Sequence, residues 1–251
     1  MTARALVTGA ASGIGRATAT LLAERGAAVA CVDVNGVGLA ESVDAIEASG
    51  GKAVALTADV TDLAAVEAVV AAAVVEFGGL DGVANIAGVG DFTGDVTAIE
   101  LDEWARVLAI NLTGAFHVSR ATIPHLRAAG CGAIVNVASQ FGLVGCLASP
   151  AYCASKAGLI GLTRAMAIDH TSDGIRVNCV CPGPVDTPML AWTVATPELT
   201  ARERARTAGR NLVGRSGRPE EIAATIAFLL SDEIGFMSGS IVAVDGGWTA
   251  G

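Results

Sequence analysis

The chain has 251 residues, few enough for one α/β domain and enough to bury a large core. A formal net charge of −9 argues against nucleic acid or an anionic membrane as the main partner. No apolar run approaches the roughly 18 residues of a membrane span, and the first strand starts within a few residues of Met1. Neither a span nor a signal peptide is expected, and a cytoplasmic protein is.

Ala5 to Thr8 reads as a short buried strand, followed by the turn Gly9-Ala-Ala-Ser12-Gly13-Ile14-Gly15 and an Ala/Leu-rich helix that Gly26 should end. Strand, glycine turn and helix N-terminus make a phosphate site, because glycines admit the backbone and unpaired N–H groups meet the anion. The second strand, Ala27 to Asp33, ends in a carboxylate twenty residues after Gly13. A dinucleotide fold places there the acid that binds the adenosine ribose hydroxyls. The spacing is G-x-x-x-G-x-G rather than G-x-G-x-x-G, so the flanking elements carry this reading.

A helix near 36–49, a strand at Ala53 to Thr57 and a helix from Thr61 to Phe77 come next. A strand from Leu80 to Asn85 leads into Ala87-Gly88, and a long helix over about 102–128 carries Asn111 inside it. The strand Ala133 to Ala138 runs into Ser139 and Gln140, ahead of a helix at 151–170. Ile175 to Cys181 is a strand, followed by the turn Pro182-Gly-Pro-Val185-Asp-Thr187-Pro. An irregular, partly helical stretch reaches Gly217, and a helix at 219–230 and a strand from Ile241 to Asp245 close the chain. Repeated βα alternation means a parallel sheet covered on both faces. The residues at Gly9, Asn85/Gly88, Ser139 and Pro182/Gly183 each follow a strand, so four segments point at one crevice beyond the strand ends. Cys31, Cys131, Cys146, Cys153, Cys179 and Cys181 lack metal-ligand spacing and read as reduced core thiols. His117, His125 and His170 read as structural or surface residues.

Tyr152 and Lys156 stand one helical turn apart, with Ser139 thirteen residues upstream. Residues at i and i+4 share a helix face, so ammonium and phenol can act on one small volume. A free phenol, pKa about 10, is a poor base at neutral pH. A fixed cation nearby favours the phenolate, and a shift of roughly 3 units needs about 4 kcal/mol of differential stabilisation. A base so tuned takes the proton of an alcohol.

With Thr8-Gly-Ala-Ala-Ser-Gly-Ile-Gly15, Asp59-Val60, Asn85-Ile-Ala-Gly88, Asn111, Ser139, Tyr152-x-x-x-Lys156, Pro182-Gly183, Thr187 and Asp245-Gly-Gly, the whole chain resembles the short-chain dehydrogenase/reductase family. The resemblance implies a single Rossmann-type domain over 1–251, with about seven strands in the order 3-2-1-4-5-6-7, and hydride transfer between a nicotinamide and a secondary alcohol or ketone. It assigns Tyr152 as acid/base and Lys156 as the residue that holds the nicotinamide ribose and depresses the Tyr pKa. Ser139 would hydrogen-bond the substrate oxygen, and Asn111 would anchor a water-linked proton path. Gly9, Ser12, Gly13, Ile14 and Gly15 would line the pyrophosphate site, Asp59 and Val60 the adenine, Asn85 and Gly88 the ribose, and Pro182, Val185 and Thr187 the carboxamide. Ile86 departs from the pattern, since many relatives carry a second Asn there. Asn111, Ser139 and Asp59 are individually compatible with a solvated polar residue, a strand cap and a turn.

Asp33 would repel a 2′-phosphate, and neither Ser12 nor Val34 supplies a compensating cation, so the expected cofactor is NAD. The helix at 151–168 is apolar or small on nearly every side. A neighbouring subunit should cover it, and with the resemblance this gives an expected homotetramer. The segment at about 188–216 is expected to be a substrate lid, with Met189 and Trp192 apolar and Arg202, Arg204, Arg206 and Arg210 available to an anionic substrate. Gln140 and Cys146 are further candidate substrate contacts, and no metal site is expected. Rival readings are an NADPH-dependent 3-oxoacyl-acyl-carrier-protein reductase, a dihydrodiol or sugar dehydrogenase, and a non-catalytic NAD sensor.

Overall fold

Seven strands form one all-parallel sheet in a computed structural model that describes residues 2–91, 94–194 and 211–250. In chain order the elements are β1 (Arg4–Thr8), α1 (Gly13–Glu24), β2 (Ala28–Asp33), α2 (Gly36–Ala48), β3 (Lys52–Thr57), α3 (Leu63–Phe77) and β4 (Gly82–Asn85). They continue with α4 (Leu101–Leu108), α5 (Ala115–Ala129), β5 (Gly132–Val137), α6 (Pro150–His170) and β6 (Ile175–Pro182). The described chain ends with α7 (Pro188–Val194), α8 (Pro219–Leu230) and β7 (Ile241–Val244). The strand order β3-β2-β1-β4-β5-β6-β7 is the one expected.

Alternation along each strand divides the core between two layers. Ala5, Val7, Val29 and Cys31 pack with Leu22, Leu39, Ile46, Ile222 and Ile226, so α1, α2 and α8 cover one face. Leu6, Ala30, Val32, Val83 and Ile134 pack with Val66, Val70, Leu126 and Met166, so α3, α5 and α6 cover the other. A third cluster of Ala138, Leu159, Ile160, Cys179 and Cys181 lies where β5 and β6 meet α6.

Four expectations are corrected. The single helix at 102–128 is two helices joined by a π-helical turn, Ala109–Gly114. Asn111 sits in that turn rather than in regular α-helix, and its amide bonds to the neighbouring loop instead of facing solvent. The helix expected from Thr61 starts at Leu63, because the Asp62 side chain accepts from the backbone of Ala64 and Ala65 and so caps it. Cys131 is exposed and Cys146 and Cys153 are half-buried, so only Cys31, Cys179 and Cys181 are core thiols; none of the six is in a disulfide. Of the expected lid, only α7 and the loop at 211–216 are described. The lid arginines lie outside the described residues, as does the side chain of Trp192. No described helix is long and apolar enough to cross a membrane.

Candidate active site

The loops after β1, β2, β3, β4 and β6 border one cleft of about 350 Å³. Its walls include Gly9, Ser12, Gly13, Ile14, Gly15, Asp33, Asp59, Val60, Gly88, Thr187 and Met189. Thr8 fastens two of these loops together: its hydroxyl accepts from the backbone N–H of Ile86 at 2.9 Å and of Ala87 at 3.1 Å. Gly15 admits no side chain, since a Cβ there would stand 2.0 Å from the Gly9 carbonyl oxygen. Gly13 has φ +51° and faces the Thr187 methyl, which brings the loop after β6 onto the glycine turn.

The far end of the cleft carries Asp33. Its Oδ2 accepts from the Ala11 N–H at 3.0 Å and its Oδ1 from the Asn35 N–H at 2.9 Å. The carboxylate is thus held at the C-terminal end of β2 against the glycine turn. Asp59 shapes its own turn, accepting from the N–H and the hydroxyl of Thr61, each at 2.8 Å. A glycine cradle that no Cβ could enter, with a fixed carboxylate beyond it, fits a dinucleotide: backbone donors meet the pyrophosphate and the acid meets ribose hydroxyls.

Asn85, Pro182 and Val185 do not line the cleft. The Asn85 amide donates inward to Ser119 at 3.1 Å and Asn136 at 2.8 Å, in a buried network that continues through Thr163 on α6. Val185 bridges to Gly217 and Pro182 pairs with Val244. Ile86, at the position of the missing second Asn, faces the cleft and packs on the core.

The chemistry-bearing quartet gathers at the junction of β5, the π-helical turn and α6. Ser139, 6% exposed, accepts from the Phe141 N–H at 3.1 Å and shares a hydrogen bond with the Tyr152 phenol. Lys156, 3% exposed, donates to the Val137 carbonyl at 2.9 Å and stands 5.7 Å from the centre of the Tyr152 ring. It also borders Gly88 of the cleft. The Asn111 amide is committed to protein: Oδ1 accepts from Val89 N–H at 2.8 Å, and Nδ2 donates to Val89 O at 2.8 Å and Ser155 Oγ at 3.1 Å. Ser155 in turn donates to the Tyr152 carbonyl at 2.9 Å.

Burial sets the electrostatics. It pushes the Tyr152 phenol up to about 12, against the lowering effect of Ser139. It also pushes the Lys156 ammonium down to about 8. Desolvation dominates at the phenol, and the Lys156 ammonium is turned toward the Val137 carbonyl.

Gln140 is buried, and its side-chain oxygen has no partner. Cys146 is half-buried beside the phenol. Leu143, Val144 and Leu147 on the 143–149 loop, with Met189 on α7, expose apolar surface. Reasoning from sequence named Met189 but missed Leu143, Val144 and Leu147, as well as Ser155 and Asp91. Ser155 carries a signal in its i+3 spacing from Tyr152; Asp91 carries none, being one of two aspartates in a glycine-rich loop. No group of three or more His, Cys, Asp or Glu among the described residues could hold a metal.

A family model described as enoyl-(acyl carrier protein) reductase matches residues 9–249. The chain is 46% identical over 246 residues to cis-4-hydroxycyclohexanecarboxylate dehydrogenase of Sinomonas cyclohexanicum, covering 98% of this chain and 96% of the relative. Levodione reductase superposes with a TM-score of 0.94 at 37% identity, over 99% of this chain and 98% of that one. A candidate NAD(P)-dependent gluconate 5-dehydrogenase from Beutenbergia cavernae, solved with NADP at low occupancy, gives 0.91 at 36% identity, over 99% and 97%.

Proposed function

We propose that this chain, which belongs to the short-chain dehydrogenase/reductase family, moves a hydride between NAD and a secondary alcohol or the matching ketone. The observation that carries the reading is the meeting of Tyr152, Ser139, Lys156 and Asn111 beside a cleft with a glycine cradle and Asp33 at its far end. Gly9, Ser12, Gly13, Ile14, Gly15, Asp33, Asp59, Val60, Gly88, Lys156 and Thr187 would hold the dinucleotide. Bound there, a nicotinamide supplies the two-electron acceptor that no side chain offers.

In the oxidative direction the Tyr152 phenolate takes the O–H proton as the carbinol carbon loses its hydride, so the alcohol becomes a ketone and the tyrosine a neutral phenol. In reduction the phenol returns that proton to the oxygen. Ser139 holds the oxygen with its hydroxyl proton, its own lone pair being anchored by Phe141 N–H. Lys156 keeps positive charge next to the phenol and to Gly88. Asn111 fixes both the loop at Val89 and, through Ser155, the Tyr152 carbonyl. Its Oδ1 retains a lone pair for the water-linked proton path.

Asp33 favours NAD, because its carboxylate is fixed where a 2′-phosphate would meet like charge. The apolar rim of Leu143, Val144, Leu147 and Met189 favours a substrate with a hydrophobic body. The hydroxycyclohexanecarboxylate named for a relative at 46% identity supports a ring-borne secondary alcohol. Reduction of a 3-oxoacyl thioester with NADPH is the second reading, favoured by the description of the matching family model and disfavoured by Asp33.

Tyr152→Phe removes only the ionisable oxygen and keeps the ring packing. The variant should lose 10²–10⁴ in kcat, the usual size of acid/base catalysis, while NAD affinity stays near wild type. Retention of more than about a tenth of the activity would remove Tyr152 from the acid/base role.

A further inference from the structure

Asp91 lies in the loop after β4, is fully buried, and spends its carboxylate on the first turn of α6. Oδ2 accepts from the Ala151 N–H at 2.7 Å and Oδ1 from the Tyr152 N–H at 3.0 Å. With Pro150 at the first helical position, these are the N–H groups that a local N-cap ordinarily satisfies. A local candidate is present: Ser149 occupies the N-cap, yet its hydroxyl makes no cap bond and is buried without a partner. A neutral serine would cap the helix without the desolvation penalty of a buried carboxylate. The costlier arrangement ties together two parts of the site that are 60 residues apart in sequence.

The tie runs along one short strap. Gly88 lines the cofactor cleft, Val89 is clamped at both N–H and C=O by the Asn111 amide, and Asp91 grips α6. Asn111 also reaches Ser155, which holds the Tyr152 carbonyl. The peptide groups on both sides of Tyr152 are therefore fixed, its N–H by Asp91 and its C=O through Asn111 and Ser155.

We propose that Asp91 is a positioning residue for Tyr152, setting the phenol relative to the cofactor-bearing strap and placing a negative charge beside it. The proposal rests on the acid/base reading of Tyr152. Other groups facing this region are the Lys156 ammonium, the Ser139 hydroxyl and the Cys146 and Cys153 thiols around the phenol, with Glu103 and Arg106 of α4 on the Asp91 side. The carboxylate opposes formation of the phenolate, so its removal should ease ionisation even as it loosens the geometry.

The test is Asp91→Asn, which keeps shape but offers one acceptor oxygen instead of two and no charge. Assayed below its melting temperature, D91N should lose about tenfold or more in kcat, as a misplaced catalytic group does. NAD affinity by fluorescence titration should stay within about threefold, and the ascending limb of the alcohol-oxidation profile should move down by about half a unit or more. A plain helix cap predicts a lower melting temperature with kcat and the limb unmoved, and that result would overturn the proposal. Where D91N does not fold, Asp91→Glu is measured instead: it keeps the charge and shifts its position, so kcat should fall with the limb near wild type. Full kcat in D91E, or insolubility of both variants, would mark Asp91 as a support of the fold and overturn the positioning role. Tyr152→Phe runs alongside. Activity kept there overturns the acid/base assignment, whereas a dead Y152F with an unaffected D91N overturns the Asp91 proposal alone.

Discussion

Tyr152 and Lys156 are both driven toward their neutral forms by burial, and this leaves a signature in stability. Lys156 has its pKa lowered from 10.5 to about 8 on folding. Below pH 8 both states hold the proton and the native state carries the whole desolvation penalty. Between about 8 and 10.5 the native chain sheds the proton first, so the unfolded state binds more protons and stability rises with pH. Tyr152 acts in the opposite sense from about 10 to 12, where the native state keeps a proton that the unfolded chain has lost. Lys156→Met removes only the first effect. The stability of the variant minus that of wild type should therefore fall by about 3 kcal/mol between pH 7.5 and 10.5, read by denaturant unfolding at fixed protein concentration. A gap independent of pH would mean that Lys156 is not desolvated as described. At this scale the sequence was legible where spacing encodes a shared helix face, as for Tyr152 and Lys156. Asp91 was not, because its partners are 60 and 61 residues away and nothing local marks the contact.

The strands followed from hydrophobic runs and glycine turns and their order from the family resemblance, but two features depended on contacts that no local pattern carries. The break at Ala109–Gly114 lies in a stretch whose apolar periodicity reads as one helix. The wider turn is stabilised by what Asn111 finds across the groove, the backbone of Val89. Asn85 likewise reads as a strand-end ligand and turns out to face the Asn136 and Ser119 side chains of β5 and α5. The glycine turn, in contrast, is legible because its steric demand is absolute. Gly15→Ala places a Cβ 2.0 Å from Gly9 O, deep inside contact distance, and the backbone that should cradle phosphate must move. NAD affinity in that variant should fall by at least tenfold, about 1.4 kcal/mol, in a fluorescence titration. Binding within twofold of wild type would show that the turn is not the phosphate site.

The outward face of α6, the helix that carries Tyr152, presents the small or apolar residues Ala154, Ala157, Gly161, Ala165 and Ile168, with Arg164 and Asp169 among them. Ile168 is 82% exposed in the single chain. A largely small and apolar outer face suits a neighbouring subunit, and we propose a homotetramer of the 25.0 kDa chain. Light scattering at micromolar concentration should give four chain masses, and a monomer alone would refute the assembly. What the whole molecule does is tested most directly by turnover. Purified enzyme should be offered NAD or NADP with a panel of secondary alcohols that includes cyclohexanol and 4-hydroxycyclohexanecarboxylate, with cofactor reduction followed by absorbance and ketone by chromatography. The proposed function predicts one ketone formed per NADH, a higher kcat/KM with NAD than with NADP, and activity that climbs with pH as the Tyr152 phenol ionises. Tight NAD binding with no ketone from any alcohol, or a higher kcat/KM with NADP, would contradict it.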